Sequence, residues 1–200
     1  VGADSQRCRW SDDRLGRDTV VADVEQWSSA CCGKCLTSPG MRGDLEPLRR
    51  LLVVYHSFTG GTERMARAVL RGAVDEGVSG VEVEFLRCRE AGADNLIRAD
   101  ALILGTPENF GYMSGAMKDF FDRTFYPTQG RVEGLPSAYF VKGGNDGTGA
   151  LGAIRRIAKG YPLREVQAPV ICAGALTKEV LEDCRELGTM MAAGLELGMY

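Results

Sequence analysis

From residue 50 onward the apolar and polar positions follow two alternating rhythms. Leu51 to Tyr55 is an unbroken apolar run, the pattern of a strand buried on both faces. Between Thr62 and about Gly77, the residues Met65, Ala66, Val69, Leu70, Ala73 and Val74 recur on one helical face. Val81, Val83 and Phe85 alternate with Glu82 and Glu84, which predicts a second strand. Residues 101–105 (ALILG) predict a third strand, residues 137–144 (SAYFVKGG) a fourth and residues 169–174 (PVICAG) a fifth. A short link, with no helix assigned to it, joins the second strand to the third. Helical stripes run through Met117, Phe120, Phe121 and Phe125, and through Leu151, Ile154, Ile157 and Ala158. The last carries Val180, Leu181, Cys184, Leu187, Gly188 and Met191. Buried strands alternating with amphipathic helices specify an α/β fold, a parallel sheet with helices on both faces.

Residues 1–48 do not keep this rhythm; they carry scattered charges and turn residues, with Met41 just before the first good strand. They are expected to be an irregular N-terminal extension, either an expression remnant or sequence translated upstream of a start at Met41. Residues 49–200 then form the domain. Cys32-Gly33-Lys34-Cys35 mimics a thioredoxin-type redox pair, but that motif opens a helix, and here LTSPGMRGD follows. Cys8, Cys31, Cys32 and Cys35 could supply four thiolates, although structural zinc sites come as two separated pairs. Cys8 and Arg14 match a phosphatase loop by spacing, yet Asp12 and Asp13 between them would repel a phosphate. None of the three is taken as a site, and no metal is expected.

Composition narrows the function classes without choosing among them. The chain of 200 residues suits one ordinary α/β domain, with 44% hydrophobic and 26% charged residues. A net charge of −3, with no clustered basic face, argues against nucleic acid as a partner. No apolar run is long enough to span a bilayer, so no membrane partner is expected. With no secretory pattern visible, the protein is expected in the cytoplasm. Cys88, Cys172 and Cys184 lie in apolar segments, where a reduced thiol behaves as a small hydrophobe.

Ligands of parallel α/β sheets bind at the carboxyl ends of the strands, near the switch point of the strand order. Three loops rich in Gly, Ser, Thr and Asn follow strands here, at residues 57–62, 106–115 and 143–149. The first offers the hydroxyls of Ser57, Thr59 and Thr62 around two glycines, directly before a helix. That is more than an N-cap requires, and backbone N–H groups at a helix start attract anions. No lysine follows the glycines, so the loop is not a Walker motif and phosphoryl transfer is unsupported. A nearly uncharged cradle suits a phosphate that is held rather than transferred. His56, the single histidine, is read as a strand-end residue hydrogen-bonded to a neighbour, not as a catalyst. No catalytic side chain is assigned.

SFTGGT satisfies the flavodoxin pattern [ST]-x-T-G-x-T, in the right place after the first strand. About 50 residues on, GTPENFGYMSGAMKDFFDRT resembles G-T-P-x-x-F-G-x-M-x-G-x-M-K-x-F-x-D. That second pattern is typical of tryptophan-repressor-binding-protein-like NAD(P)H:quinone oxidoreductases. The resemblance covers roughly residues 50–195. It implies a flavodoxin-like, doubly wound, five-stranded parallel sheet of order 2-1-3-4-5 in a three-layer α/β/α sandwich. It also implies non-covalent FMN. Ser57, Phe58, Thr59, Gly60, Gly61 and Thr62 would hold the 5′-phosphate. Thr106, Pro107, Glu108, Asn109, Phe110, Gly111 and Tyr112 would line one side of the isoalloxazine. Gly143, Gly144, Asn145 and Gly147, in the loop that also carries Asp146, would approach from the other. Phe110 and Tyr112 could stack near the ring or simply pack their loop.

By the same resemblance NAD(P)H would be the electron donor and a quinone or similar small molecule the acceptor. The alternative is an electron carrier that docks redox partner proteins. Charges are nearly balanced from residue 41 onward, which weighs against a carrier steered by a strongly acidic surface. Two departures stand out: the third loop has no histidine, and Tyr112 replaces a smaller polar residue. These departures bear on the family's quinone substrate and its tetramer rather than on the cofactor, so the acceptor is left as a quinone or a similar small molecule, and a homodimer stays open.

Overall fold

The computed structural model describes residues 48–200. The motifs discussed for the N-terminal extension and its candidate start at Met41 lie outside the described residues. The described chain runs β1 (Arg49–Tyr55), α1 (Gly61–Ala73), β2 (Val81–Arg87), α2 (Ala93–Arg98), β3 (Ala101–Asn109) and β4 (Tyr112–Met113). It continues with α3 (Gly115–Thr128), β5 (Pro136–Gly143), α4 (Thr148–Ala158), β6 (Arg164–Glu165), β7 (Val170–Ala173) and α5 (Lys178–Glu196).

The main strands lie in the order β2-β1-β3-β5-β7, all parallel, which is the expected 2-1-3-4-5 arrangement. Alternate residues of each strand face opposite ways, so each apolar run feeds two cores. Leu52, Val54, Leu102, Leu104 and Val141 pack with Met117, Phe120 and Ile154 beneath α3 and α4. Leu51, Val53, Tyr55, Ile103 and Phe140 pack with Met65, Val69, Leu187 and Met191 beneath α1 and α5. That two-sided burial is why β1 and β3 carry continuous apolar runs.

Three details differ from the expected elements. The link between β2 and β3 folds into α2, a helix of six residues that buries only Leu96. One buried apolar residue leaves no periodic stripe to recognise. A small strand, β4, folds back antiparallel on β3 through the pairs Glu108–Met113 and Asn109–Tyr112. The fifth strand is in two pieces: β6 pairs with Pro136 and Ser137, and β7 pairs with Phe140 to Gly143. Between the pieces the register slips by two residues, from Ser137↔Glu165 to Phe140↔Val170, and Pro169, just before β7, has no N–H to give a ladder.

Helices α1 and α5 approach through glycine. A Cβ on Gly72 would lie 1.8 Å from the Arg185 carbonyl oxygen, and one on Gly188 would lie 2.0 Å from that of Val69. Each helix thus uses a missing side chain to seat the other's backbone. Cys88, Cys172 and Cys184 are free and buried, and burial pushes the Cys88 and Cys184 thiols up to about 12. No helix among the described residues is long and apolar enough to cross a membrane.

Candidate functional site

The three polar loops meet at the carboxyl ends of the central strands β1, β3 and β5. The first begins at Ser57, whose Oγ accepts from the Gly60 N–H at 3.1 Å and curls the loop. Gly60 occupies the N-cap of α1 with φ 88°, a left-handed conformation that a side chain would strain. No side-chain oxygen caps this helix. The leading N–H groups of any α-helix lack partners within it, and they carry the positive end of the dipole.

The other long helices that start at this rim have their caps filled. Ser114 Oγ accepts from the Met117 N–H at the start of α3. Thr177 does the same for Val180 at the start of α5. For α4 the cap comes from 40 residues away in sequence. Glu108 Oε2 accepts from the Gly147 N–H at 3.2 Å, and Oε1 accepts from Gly149 at 3.1 Å and Ala150 at 3.3 Å. A carboxylate already sits where an anion would otherwise bind α4. Helix α1 is the start left open, and Thr59 is exposed beside it while Thr62 is 2% exposed.

The second loop is a two-residue hairpin turn between the paired Asn109 and Tyr112. Phe110 and Gly111 have φ 53° and 70°, as a type I′ turn requires. Asn or Gly is usual at the first of these positions, and a phenylalanine there costs about 1–2 kcal/mol of backbone strain. Its ring is fully exposed, so Phe110 does not pack its own loop. Tyr112 is partly exposed, and Phe58 of the first loop is 87% exposed. The base of the hairpin is stitched by Thr106, whose Oγ1 accepts from the Ser114 N–H at 3.0 Å and meets Ser114 Oγ at 3.2 Å.

Hairpin and third loop are locked together. Besides the Glu108 clamp, a Cβ on Gly149 would fall 2.2 Å from the Gly111 carbonyl oxygen. In the third loop Asp146 Oδ1 accepts from the Thr148 N–H and hydroxyl at 3.0 and 2.8 Å, which holds its carboxyl below the usual range. Gly144 and Asn145 are exposed at the tip, whereas Gly143 and Gly147 are buried at its ends. Replacing Glu108 by Ala strands three amides at once. It is expected to lower stability by about 1–3 kcal/mol and to speed hydrogen exchange at Gly147, Gly149 and Ala150. Unchanged urea melts and exchange rates would contradict the clamp.

Two residues of the rim have no counterpart in the sequence expectations. The side-chain role of Glu108 is one, since Glu108 was expected only as part of the lining of the ring. The other is Lys142, near the end of β5, whose Nζ donates to the Gly143 carbonyl at 3.0 Å and to that of Gly174. Neither leaves a local pattern, because each partner is either backbone or tens of residues away. His56 also differs from expectation. Its backbone N–H donates to the Gly105 carbonyl at 2.9 Å, but ring Nδ1 is buried without a hydrogen-bond partner among the described residues. Burial first, then the charges of Arg89 and Arg87, push its pKa below the ordinary 6.5, so the ring is neutral at pH 7.

The flavodoxin family model matches residues 53–186, and the chain belongs to the flavodoxin family. Among curated relatives, a flavodoxin of Aquifex aeolicus is 29% identical over 161 residues, covering 72% of this chain and 85% of its own. An NAD(P)H dehydrogenase (quinone) of Acidithiobacillus ferrooxidans is 36% identical over 115 residues, covering 47% of this chain. The chain spans only 56% of that dehydrogenase's length. Among solved structures, a WrbA-like flavodoxin of Agrobacterium tumefaciens superposes with a TM-score of 0.62 at 24% identity. It covers 74% of this chain and 98% of its own.

Proposed function

We propose that this protein binds FMN without a covalent link and acts as an NAD(P)H-dependent oxidoreductase that reduces a quinone or similar small acceptor. The observation that carries the reading is the start of α1. Among the described residues it alone of the long helices at the rim lacks a side-chain cap, and it opens from a loop of three hydroxyls. Ser57, Phe58, Thr59, Gly60, Gly61 and Thr62 would hold the phosphate there, through backbone N–H groups and hydroxyl donors. Residues 106–112, together with Gly143, Gly144, Asn145 and Gly147, would line the isoalloxazine.

When bound, the flavin supplies the redox chemistry, accepting a hydride and passing electrons on. The chain's own contribution is placement. Glu108 and Thr106 fix the hairpin and the third loop as one wall, so the ring would meet a surface set before it arrives. Preorganised walls bind with less ordering cost than loops that must settle. Phe110 and Phe58 leave apolar surface at the rim, suited to a planar acceptor or to the nicotinamide. Burial holds His56 toward its neutral form, and no catalytic role is assigned to it.

An electron carrier is the second reading, favoured by the length over which the chain matches a flavodoxin. Anaerobic mixing with NADH or NADPH separates the two. Purified protein loaded with FMN should be yellow, and rapid bleaching by either nucleotide supports the reductase. A yellow protein inert to both would be the carrier. A colourless preparation that takes up no FMN on titration would sink both.

A further inference from the structure

The loop 57–62 contains no lysine or arginine, so a phosphate held there would find dipoles and hydroxyls but no full charge from the loop itself. The structure brings one in from another strand. The stem of Lys142 lies across the opening of α1, where a Cβ on Gly61 would meet its Cγ at 3.4 Å and its Cε at 3.7 Å. Its ammonium is tethered by two backbone carbonyls, those of Gly143 and Gly174. No carboxylate among the described residues pairs with it. Arg67 and Arg87 both bind Glu63, whereas Arg64, in the first turn of α1, is exposed.

We propose that Lys142 is a specificity residue of the first loop, whose fixed charge makes the site choose the phosphorylated flavin, FMN, over riboflavin. This rests on the flavin reading given above. A carbonyl-tethered ammonium keeps its full charge, because neutral acceptors orient it without cancelling it. Its side-chain freedom is already spent in the folded state, so little ordering cost is left for the ligand to meet. The partner chemistry is a phosphate monoester, doubly or singly charged near neutral pH, next to the open N–H groups of α1.

A strut and a specificity residue predict different outcomes. As a strut between β5 and the loop after β7, Lys142 would matter equally for any ligand of the site. As a source of charge, it would matter only for the phosphate. Fluorescence titrations of apoprotein with FMN and with riboflavin, on wild type, Lys142→Met, Lys142→Arg and Arg64→Met, tell them apart. Lys142→Met should lose about tenfold in FMN affinity and keep its riboflavin affinity. Lys142→Arg should stay close to wild type, and Arg64→Met, which removes an exposed charge from the first turn of α1, should change FMN binding far less.

Wild-type FMN binding should weaken with added salt more steeply than riboflavin binding, a readout that needs no variant to fold. Equal losses for both flavins in Lys142→Met would overturn the proposal. So would an unchanged FMN affinity, or a larger effect at Arg64. Wild-type protein that binds neither flavin would refute the flavin reading itself, and the specificity with it. Binding of both flavins with no response to Lys142→Met or to salt would refute the specificity alone.

Discussion

Gly188→Ala is expected to lower the melting temperature by roughly 4–8 °C, although alanine is the better helix former. The new methyl would stand 2.0 Å from the Val69 carbonyl oxygen in a contact between two helix backbones. Ordinary contact needs well over 3 Å, so α1 and α5 would have to part by more than an ångström along their whole crossing. Overpacking of this kind costs about 1–3 kcal/mol or more, and each kcal/mol moves the midpoint of a domain this size by about 2–4 °C. The propensity gain of Gly→Ala, about 1 kcal/mol, works in the other direction, and because the clash is with backbone at 2.0 Å the cost lies at the upper end of that range and leaves a net loss of about 2 kcal/mol. Gly152→Ala in α4 is the matching control. Nothing lies within 4 Å of a Cβ there, so only the propensity term acts, and that variant should melt slightly higher than wild type. Thermal melts followed by circular dichroism check both signs. If Gly188→Ala melts with Gly152→Ala, the helices are not in backbone contact.

Thr59→Glu is expected to abolish FMN binding while leaving the fold unchanged. Thr59 is exposed in the loop before α1, so a carboxylate there stays hydrated and costs the folded apoprotein little. Against a phosphate a few ångströms away the repulsion amounts to about 3 kcal/mol or more, at least a hundredfold in affinity. Thr62 would be the wrong place for the experiment. At 2% exposure, a buried carboxylate there would unfold the start of α1 and mask any effect on the ligand. The checks are an FMN titration beside an apoprotein melt. Wild-type affinity in Thr59→Glu would put the phosphate elsewhere.

How much of this could be read from the chain differs by element. Strands β1 and β3 and helices α1, α3, α4 and α5 announce themselves, because burial on two faces or on one stripe imposes a period on the residues. The three loops announce themselves too, since hydroxyls and glycines cluster where the backbone must curl after a strand. Helix α2 and strand β4 do not, being too short to impose a period. The clamp from Glu108 to the amides of α4 is likewise invisible, as a glutamate in a loop looks like any solvated charge. Lys142 reads as a routine polar residue ending a strand, and only the fold shows its stem lying over Gly61. His56 shows the reverse: a residue expected to find a partner leaves one ring nitrogen buried without any. Gly188 was readable as part of a helical stripe, but not as the point where another backbone touches.

The divided fifth strand has a consequence for life in a crowded solution. An unbroken strand at the border of a sheet offers a ladder of free N–H and C=O groups on which another chain can build. Here that border is a pair of fragments, two and four residues long, separated by a segment containing Pro169. Neither fragment is long enough to hold a foreign strand in register, and the proline removes a donor between them. The sheet can therefore keep a long parallel core and still present a blunt side to its neighbours while it folds.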